Sequence, residues 1–475
     1  MTDISFSRRA LLQAMFYGGG AVFLAACGGG SSSTTGSGDV PADPTLPTPK
    51  PPIEPEPLLK EFPLKPGPLF SIGELVKSDV DGIFIPEGFS IRRVAVSGTA
   101  PAGGLFNGKI DYIWHGFPDG GAVFPAAEDG GWVYVSNSET VTAGGVGALR
   151  FDRNGNLIDA YRILRGTRRN CAGGATPWGT WLSCEEVADG YVYECDPLGT
   201  PATAVKYPAL GVFNHEAAAV DMETRTVFLT EDEGDGRLYR FVSSGTVSGI
   251  NGREALDLQN GVLQVLEVEG FENGGYLEDL ELARRVCRVR WVEVVEPGRA
   301  QGTVRKQIER NTGVGAPGTR FPGGEGIWMQ HLPADARPRL PGAKYPLRAV
   351  AFFATKGDNR VYALDIDNDL LEVVFDNQQL EGVSEPFADV DNVTVSPAGD
   401  VIVAEDGDAM RLMVVHPNKG AKILVRVPGG GSELTGPAFT PDGSRLYFSS
   451  QRGPRPIGFG VTYELTIPEA FRNGS

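Results

Sequence analysis

One pattern recurs along the chain. Apolar residues alternate with polar ones, a turn of Gly, Asp or Asn follows, and a second apolar run ends in an acid. Examples are Ala122-Val-Phe-Pro125 leading to Trp132-Val-Tyr-Val-Ser-Asn-Ser-Glu139, and Ala217-Ala-Ala-Val220 leading to Thr226-Val-Phe-Leu-Thr-Glu-Asp232. Val350–Ala354 with Arg360–Asp365, Val393–Asp406 and Ala438–Ser450 repeat it. A period of two with a turn between reads as a β-hairpin. Irregular hairpin repeats over this length predict the blades of a β-propeller, six in number, around a central channel. The expected fold class is therefore all-β. Tyr276–Val294 alternates charge and bulk at helical spacing, and predicts a helix inserted between blades.

Three segments organise the chain. Residues 1–26 carry Ser7-Arg-Arg-Ala-Leu-Leu12 and a short, weakly apolar stretch, the pattern of a twin-arginine export signal. That stretch ends Leu24-Ala25-Ala26-Cys27, which resembles a bacterial lipobox with Cys27 as the lipidated first mature residue. Residues 27–66 form a Gly/Ser/Thr- and then Pro-rich linker, too poor in apolar side chains to bury a core and expected to be a disordered tether. Residues 67–475 hold the propeller. The expected destination is a membrane-anchored lipoprotein in the periplasm or on the cell surface, exported already folded, by a route that often carries proteins with metals in place.

Composition sharpens this reading. The 475 residues include 64 Gly and 35 Pro, a turn-rich usage that excludes a long helical bundle. The net charge of −17 argues against nucleic-acid binding, since phosphate backbones need clustered Lys and Arg. Five cysteines are too few for a disulfide scaffold. His115, His215, His331 and His416 show no zinc-binding spacing. There is no G-x-S-x-G elbow, phosphate loop or G-x-G-x-x-G.

Candidate chemistry lies at the ends of the apolar runs. Glu139, Glu185 with Glu186, Glu231 with Asp232, and Glu405 with Asp406 fall at equivalent places in successive hairpins. In a propeller these ends meet around the channel. Converging carboxylates repel, so they call for a cation, and oxygen ligands favour Ca²⁺ or Mg²⁺. Asn170-Cys171-Ala-Gly-Gly174, Asn214-His215-Glu216-Ala217 and Gly323-Gly-Glu325-Gly326 set a ligand type among small residues that permit close approach.

These segments carry a resemblance. Asn170–Gly174 with Thr176-Pro-Trp-Gly-Thr-Trp-Leu-Ser-Cys-Glu-Glu186 is similar to the signature of the PhoX-type alkaline phosphatases. So are Asn214–Glu216, Ala354–Arg360 and Glu433–Gly443, so that the likeness runs from about residue 80 to 465. The resemblance implies a twin-arginine-exported propeller that hydrolyses phosphate monoesters with Fe(III) and Ca²⁺. It implies Cys171, Glu216, Glu325, Glu139, Asp391 and Glu405 as metal ligands. Lys356, Arg360 and Arg452 are then the expected catalytic cations, steadying charge on the phosphoryl group. The implied partners are small phosphate esters and, through the lipid anchor, a membrane, with a monomeric chain. The pattern departs from the family where an arginine is expected two residues before Glu325: Gly323 stands there and Arg320 lies five residues before. Ser138 replaces a histidine, and Ser449-Ser-Gln-Arg452 replaces a Gln-His pair. The alternatives are a calcium-dependent lactonase-like propeller and a non-catalytic surface-binding propeller, which metal content separates.

The export reading predicts that Cys27→Ala moves the protein from the membrane fraction to the soluble one. Unchanged fractionation excludes lipidation at Cys27.

Overall fold

The structure, a computed structural model, describes residues 67–475 apart from 102–111, 127, 279–285, 340–342, 377–388, 408, 417–419, 455–458 and 473–475. The export signal, Cys27 and the tether lie outside the described residues.

Among the described residues six antiparallel blades, each with a core of four strands, follow one another along the chain, as the hairpin pattern predicts; Leu75–Lys77 and Phe84–Pro86 extend blade 5, and Asp406↔Glu433 links blade 5 to blade 6. Their inner strands are Pro118–Ala126, Asn170–Ala175, His215–Asp221, Gly324–His331, Val390–Val395 and Ser432–Phe439, in blades 1 to 6. Within each blade the strands pair in chain order, since short turns join antiparallel neighbours. Blade 6 is the exception. Its outer strand is Ser90–Val96, from before blade 1, paired with Val461–Thr466 from Thr466↔Ser90 to Val461↔Val96. The two ends of the propeller are thus sewn into one sheet, which closes the ring and removes an open edge.

The core is six separate seams, one between each pair of adjacent blades. Leu182, Val220, Val227 and Phe241 pack between blades 2 and 3; Val350, Phe352, Val393 and Val403 between blades 4 and 5. Between blades 6 and 1, Tyr134 stacks on Tyr447 at 5.0 Å and Phe151 lies 5.2 Å from the same ring. Each fully buried large side chain contributes on the order of 2 kcal/mol.

The helix expected over Tyr276–Val294 is not formed where the chain is described. Cys287–Glu293 is a strand, joining the outer strand of blade 3 (Gly261–Val268) to Leu370 and Leu371 of blade 4. Its charges alternate with period two: Arg290 pairs with Glu267 at 2.8 Å, and the next residue, Trp291, lies beneath Arg240. Among the described residues a helix lies further on, at Gln301–Thr312. Its Arg305 is buried, with Nη1 2.9 Å from Glu231 Oε2 and Nε 3.1 Å from Asp235.

All six inner strands carry a β-bulge near their first residue, at Pro118/Gly121, Asn170/Gly173, His215/Ala218, Gly324/Ile327, Val390/Val393 and Thr435/Ala438. A bulge re-aims one side chain without ending the ladder. Small residues then let neighbouring strands meet: a Cβ on Gly120 would lie 2.5 Å from Ala172 Cα, and one on Gly326 2.5 Å from Val393 N.

At the last residue of blade 3's inner strand, Asp221 is buried and ties blade 3 to blade 4. It accepts from Arg348 at 2.8 and 2.9 Å and from His331 Nε2 at 2.9 Å. Burial would raise its carboxyl, but His331, Arg348 and Thr224 together hold it below the usual carboxylate range. Its contribution is therefore present above about pH 4 and lost as pH falls further. Asp221→Asn is expected to cost about 3 kcal/mol at neutral pH. The gap from the parent should close on acidification, read by urea unfolding at pH 7 and pH 3; a gap unchanged with pH excludes the ionised pair as its source.

Candidate metal centre

The bulges bring one end of the six blades into register. In each blade a residue at the end of the second strand, or just past it, donates its backbone N–H to a carbonyl just before the bulge. The pairs are Glu139→Phe117, Glu186→Arg169, Asp232→Asn214, Lys356→Gly323, Asp406→Asp389 and Gln451→Glu433. Two residues after each acceptor lies the bulge position: Asp119, Cys171, Glu216, Glu325, Asp391 and Thr435. Three rings of equivalent positions therefore surround the channel mouth, one from the bulges, one from the donors and one from the acceptors.

The bulge ring and the donor ring hold most of the ligand types. Four groups have ligand atoms within 4.8 Å of one another: Cys171 with Glu186 and Glu216; Glu216 with Glu325 and Asp391; Asp391 with Asp406 and Glu433; and Asp119 with Glu139 and Glu433. Shared members make these groups one continuous belt. Thr435 completes the bulge ring, its hydroxyl donating to Pro118 O at 2.8 Å.

Burial makes the belt electrostatically costly. It pushes Asp119, Glu186, Glu216 and Glu433 well above the usual carboxylate range, and neighbouring carboxylates push them further. Asp391 is pushed up to about 6 by burial, less far because of the Lys356 ammonium. Burial and then the surrounding acids raise the Cys171 thiol. Burial alone would lower Lys356, yet Glu325, Asp391, Asp406 and Asp232 hold it well above its ordinary value. Its ammonium lies 2.9 Å from Glu325 Oε1, an ion pair without hydrogen-bond geometry, and 3.3 Å from Asp406. Glu216 Oε1 is buried with no hydrogen-bond partner among the described residues. An orphaned carboxylate oxygen among carboxylates and one thiol fits a metal ion: the oxygens suit hard cations, and the sulfur a transition metal.

Six of the residues expected from sequence meet here: Cys171, Glu216, Glu325, Glu139, Asp391 and Lys356. Two do not. Glu405 is bound through both oxygens to Arg411 at 2.6 Å. Successive side chains of a strand point to opposite faces, so Asp406 reaches the belt and Glu405 does not. The same alternation sends Glu185 to the Arg168 backbone N–H and Glu231 to Arg305, leaving Glu186 and Asp232 on the belt side. Arg360 is also withdrawn: it is buried, with bonds to Asp376 at 2.8 Å and to Leu277 O at 2.7 Å. Arg452 sits at the rim, 3.0 Å from Glu433. Arg320 lies over the Tyr276 ring. The sequence reading passed over Asp119, although Asp119-Gly120-Gly121 repeats the pattern of a ligand followed by small residues.

Residues 135–337 match the family model described as alkaline phosphatase PhoX. No curated protein matches the chain. Among solved structures, the fold is similar to Pseudomonas fluorescens PhoX in complex with vanadate, a transition state analogue. That likeness has a TM-score of 0.60 at 17% identity, over 84% of this chain and 98% of that one. A gluconolactonase, XC5397 from Xanthomonas campestris, is similar at a TM-score of 0.40 and 13% identity, over 84% of this chain and 98% of that chain.

Removing cations by chelation leaves the belt acids uncompensated. Glu216→Gln is expected to stabilise the chelated protein by roughly 1 kcal/mol, because it removes one repelling charge. The same change should lower metal content in the loaded protein. Paired thermal melts and elemental analysis test this; destabilisation in both states would exclude a belt strained by its own charge.

Proposed function

We propose that this protein is a PhoX-type phosphatase, a metal-dependent hydrolase of phosphate esters. The observation that carries the reading is an overlap. The matched stretch 135–337 contains Glu139, Cys171, Glu186, Glu216 and Glu325, and the fold gathers these residues at the channel mouth with acids from the remaining blades.

Cys171, Glu186 and Glu216 would hold a transition metal, because a thiolate joins the carboxylates, and we assign it as Fe(III) on the likeness to the PhoX-type phosphatases. Asp119, Glu139 and Glu433 offer oxygen alone and would hold Ca²⁺. When bound, the metals supply Lewis-acid charge to the phosphoryl oxygens and ease deprotonation of the attacking oxygen. Lys356 keeps its proton among the acids and offers a fixed positive charge beside them. Arg452 is 39% exposed and paired to Glu433, so it can turn toward an incoming ester at the rim. Four ligand groups exceed the single channel cation that the lactonase-like alternative needs.

We assign the residues ahead of the propeller to export and anchoring: a twin-arginine signal, lipidation at Cys27 and a tether through residue 66. Among the described residues no helix is long and apolar enough to cross a membrane. The substrates are small phosphate esters, and the chain acts as a monomer.

Cys171→Ser is expected to remove iron and its thiolate charge-transfer colour and to lower turnover of an aryl phosphate at least a hundredfold. Cys184, fully buried in the seam between blades 2 and 3, serves as control, and Cys184→Ser should keep the iron. A fully metallated protein that hydrolyses no phosphate ester excludes the hydrolase reading.

A further inference from the structure

The acceptor ring at the outer edge of the belt holds Phe117, Arg169, Asn214, Gly323, Asp389 and Glu433. Four of these sit in the left-handed backbone region, Phe117 at φ 50°, Arg169 at φ 42°, Gly323 at φ 63° and Asp389 at φ 56°, and of the four Phe117 and Arg169 carry bulky side chains. That conformation is rare for large side chains, and strain of this kind clusters at functional sites. The two are joined across blades 1 and 2 through backbone bonds. Glu139 N donates to Phe117 O at 3.0 Å, and Arg169 N donates to Thr140 O at 2.9 Å. Arg169 O accepts in turn from Glu186 N at 2.9 Å.

Arg169 differs from the four arginines that hold the scaffold's buried acids. Arg305, Arg348, Arg360 and Arg411 each hold carboxylates at hydrogen-bond distance. The Arg169 guanidinium is 3.8 Å from Glu139 and 4.0 Å from Glu186, forms no hydrogen bond among the described residues, and is 26% exposed. Its donors are held at the belt by charge alone. Phe117 is 37% exposed, and Val141, next to Thr140, is 60% exposed. The mouth on blade 1 is thus an apolar lip beside an uncommitted cation.

We propose that Arg169 and Phe117, on either side of Glu139, form the substrate mouth, and that the preferred substrates are phosphate monoesters of apolar alcohols or phenols. The proposal rests on the phosphatase reading and names its substrate class. Arg169 anchors the phosphoryl oxygens through its planar fork of N–H donors. Phe117 packs against the leaving group. Water adds to phosphorus, the ester P–O bond breaks, and the alcohol leaves with a proton taken from the water. Phosphate stays on the Arg169 guanidinium until it is released, and no redox step occurs.

The test uses the natively exported, metallated protein with phenyl phosphate and glycerol phosphate as substrates and inorganic phosphate as inhibitor. Asn tolerates the left-handed region, so Arg169→Asn and Phe117→Asn remove the side chains without adding backbone strain. Arg169→Asn is expected to weaken inhibition by phosphate about a hundredfold at unchanged metal content, with partial rescue in Arg169→Lys. Phe117→Asn is expected to lower kcat/KM for phenyl phosphate about tenfold while glycerol phosphate and phosphate inhibition stay constant. Unchanged phosphate inhibition in metallated Arg169→Asn overturns the anchor, as does loss of metal in that variant, which would make Arg169 a support for Glu139. An equal fall for both esters in Phe117→Asn overturns the apolar lip. If the parent hydrolyses neither ester, the phosphatase reading fails; direct calorimetry with inorganic phosphate on parent and Arg169→Asn then judges the anchor by itself.

Discussion

Mutual repulsion among buried acids is the constraint around which the channel mouth is built. Asp119, Glu139, Glu186, Glu216, Glu325, Asp391, Asp406 and Glu433 join Cys171 in one belt. Among the described residues, Lys356 supplies the one close ammonium. Taking so many carboxylates from water is tolerable only if they are protonated or share cations. Cations bound at the belt would therefore support the fold's stability as well as its chemistry.

The scaffold bears this strain because the belt and the core are different places. Packing lies in the six seams between blades, while the ligands lie on the inner strands and the turns beside them. Closure of blade 6 by Ser90–Val96 prevents the ring from opening under the repulsion at its mouth. On blade 3, the Arg305–Glu231 contact fixes the end of the strand just before Asp232. At the far end of the inner strand, Asp221 and Arg348 hold blades 3 and 4 together. These ion pairs are buried and closely bonded, in contrast to Arg169 at the mouth, and that contrast separates structural cations from one left free to meet a ligand.

Much of the fold was legible in the chain. Period-two alternation and turn residues marked the hairpins, and their repetition indicated a propeller of six blades. The departure at Cys287–Glu293 has a definite cause: Cys-Arg-Val-Arg-Trp-Val-Glu293 alternates as a strand, and its charge pattern resembled a helical face only when the neighbouring blades were ignored. Cys171, Glu216, Glu325 and Asp391 were legible through their motifs. Glu405 and Arg360 were misassigned because residue type says nothing of which strand face points inward.

The chain by itself determined residue chemistry and local period: turn-rich hairpins, acids at strand ends, one cysteine among small residues. Only the tertiary structure decided which of each adjacent acid pair faces the channel. Strand alternation sends one member inward and the other outward, and the bulges set where that alternation begins. It also decided that Asp119, some fifty residues before Cys171 and three hundred before Glu433, belongs to the same belt. Proximity in a closed ring depends on six blades packing together, which no local sequence pattern encodes.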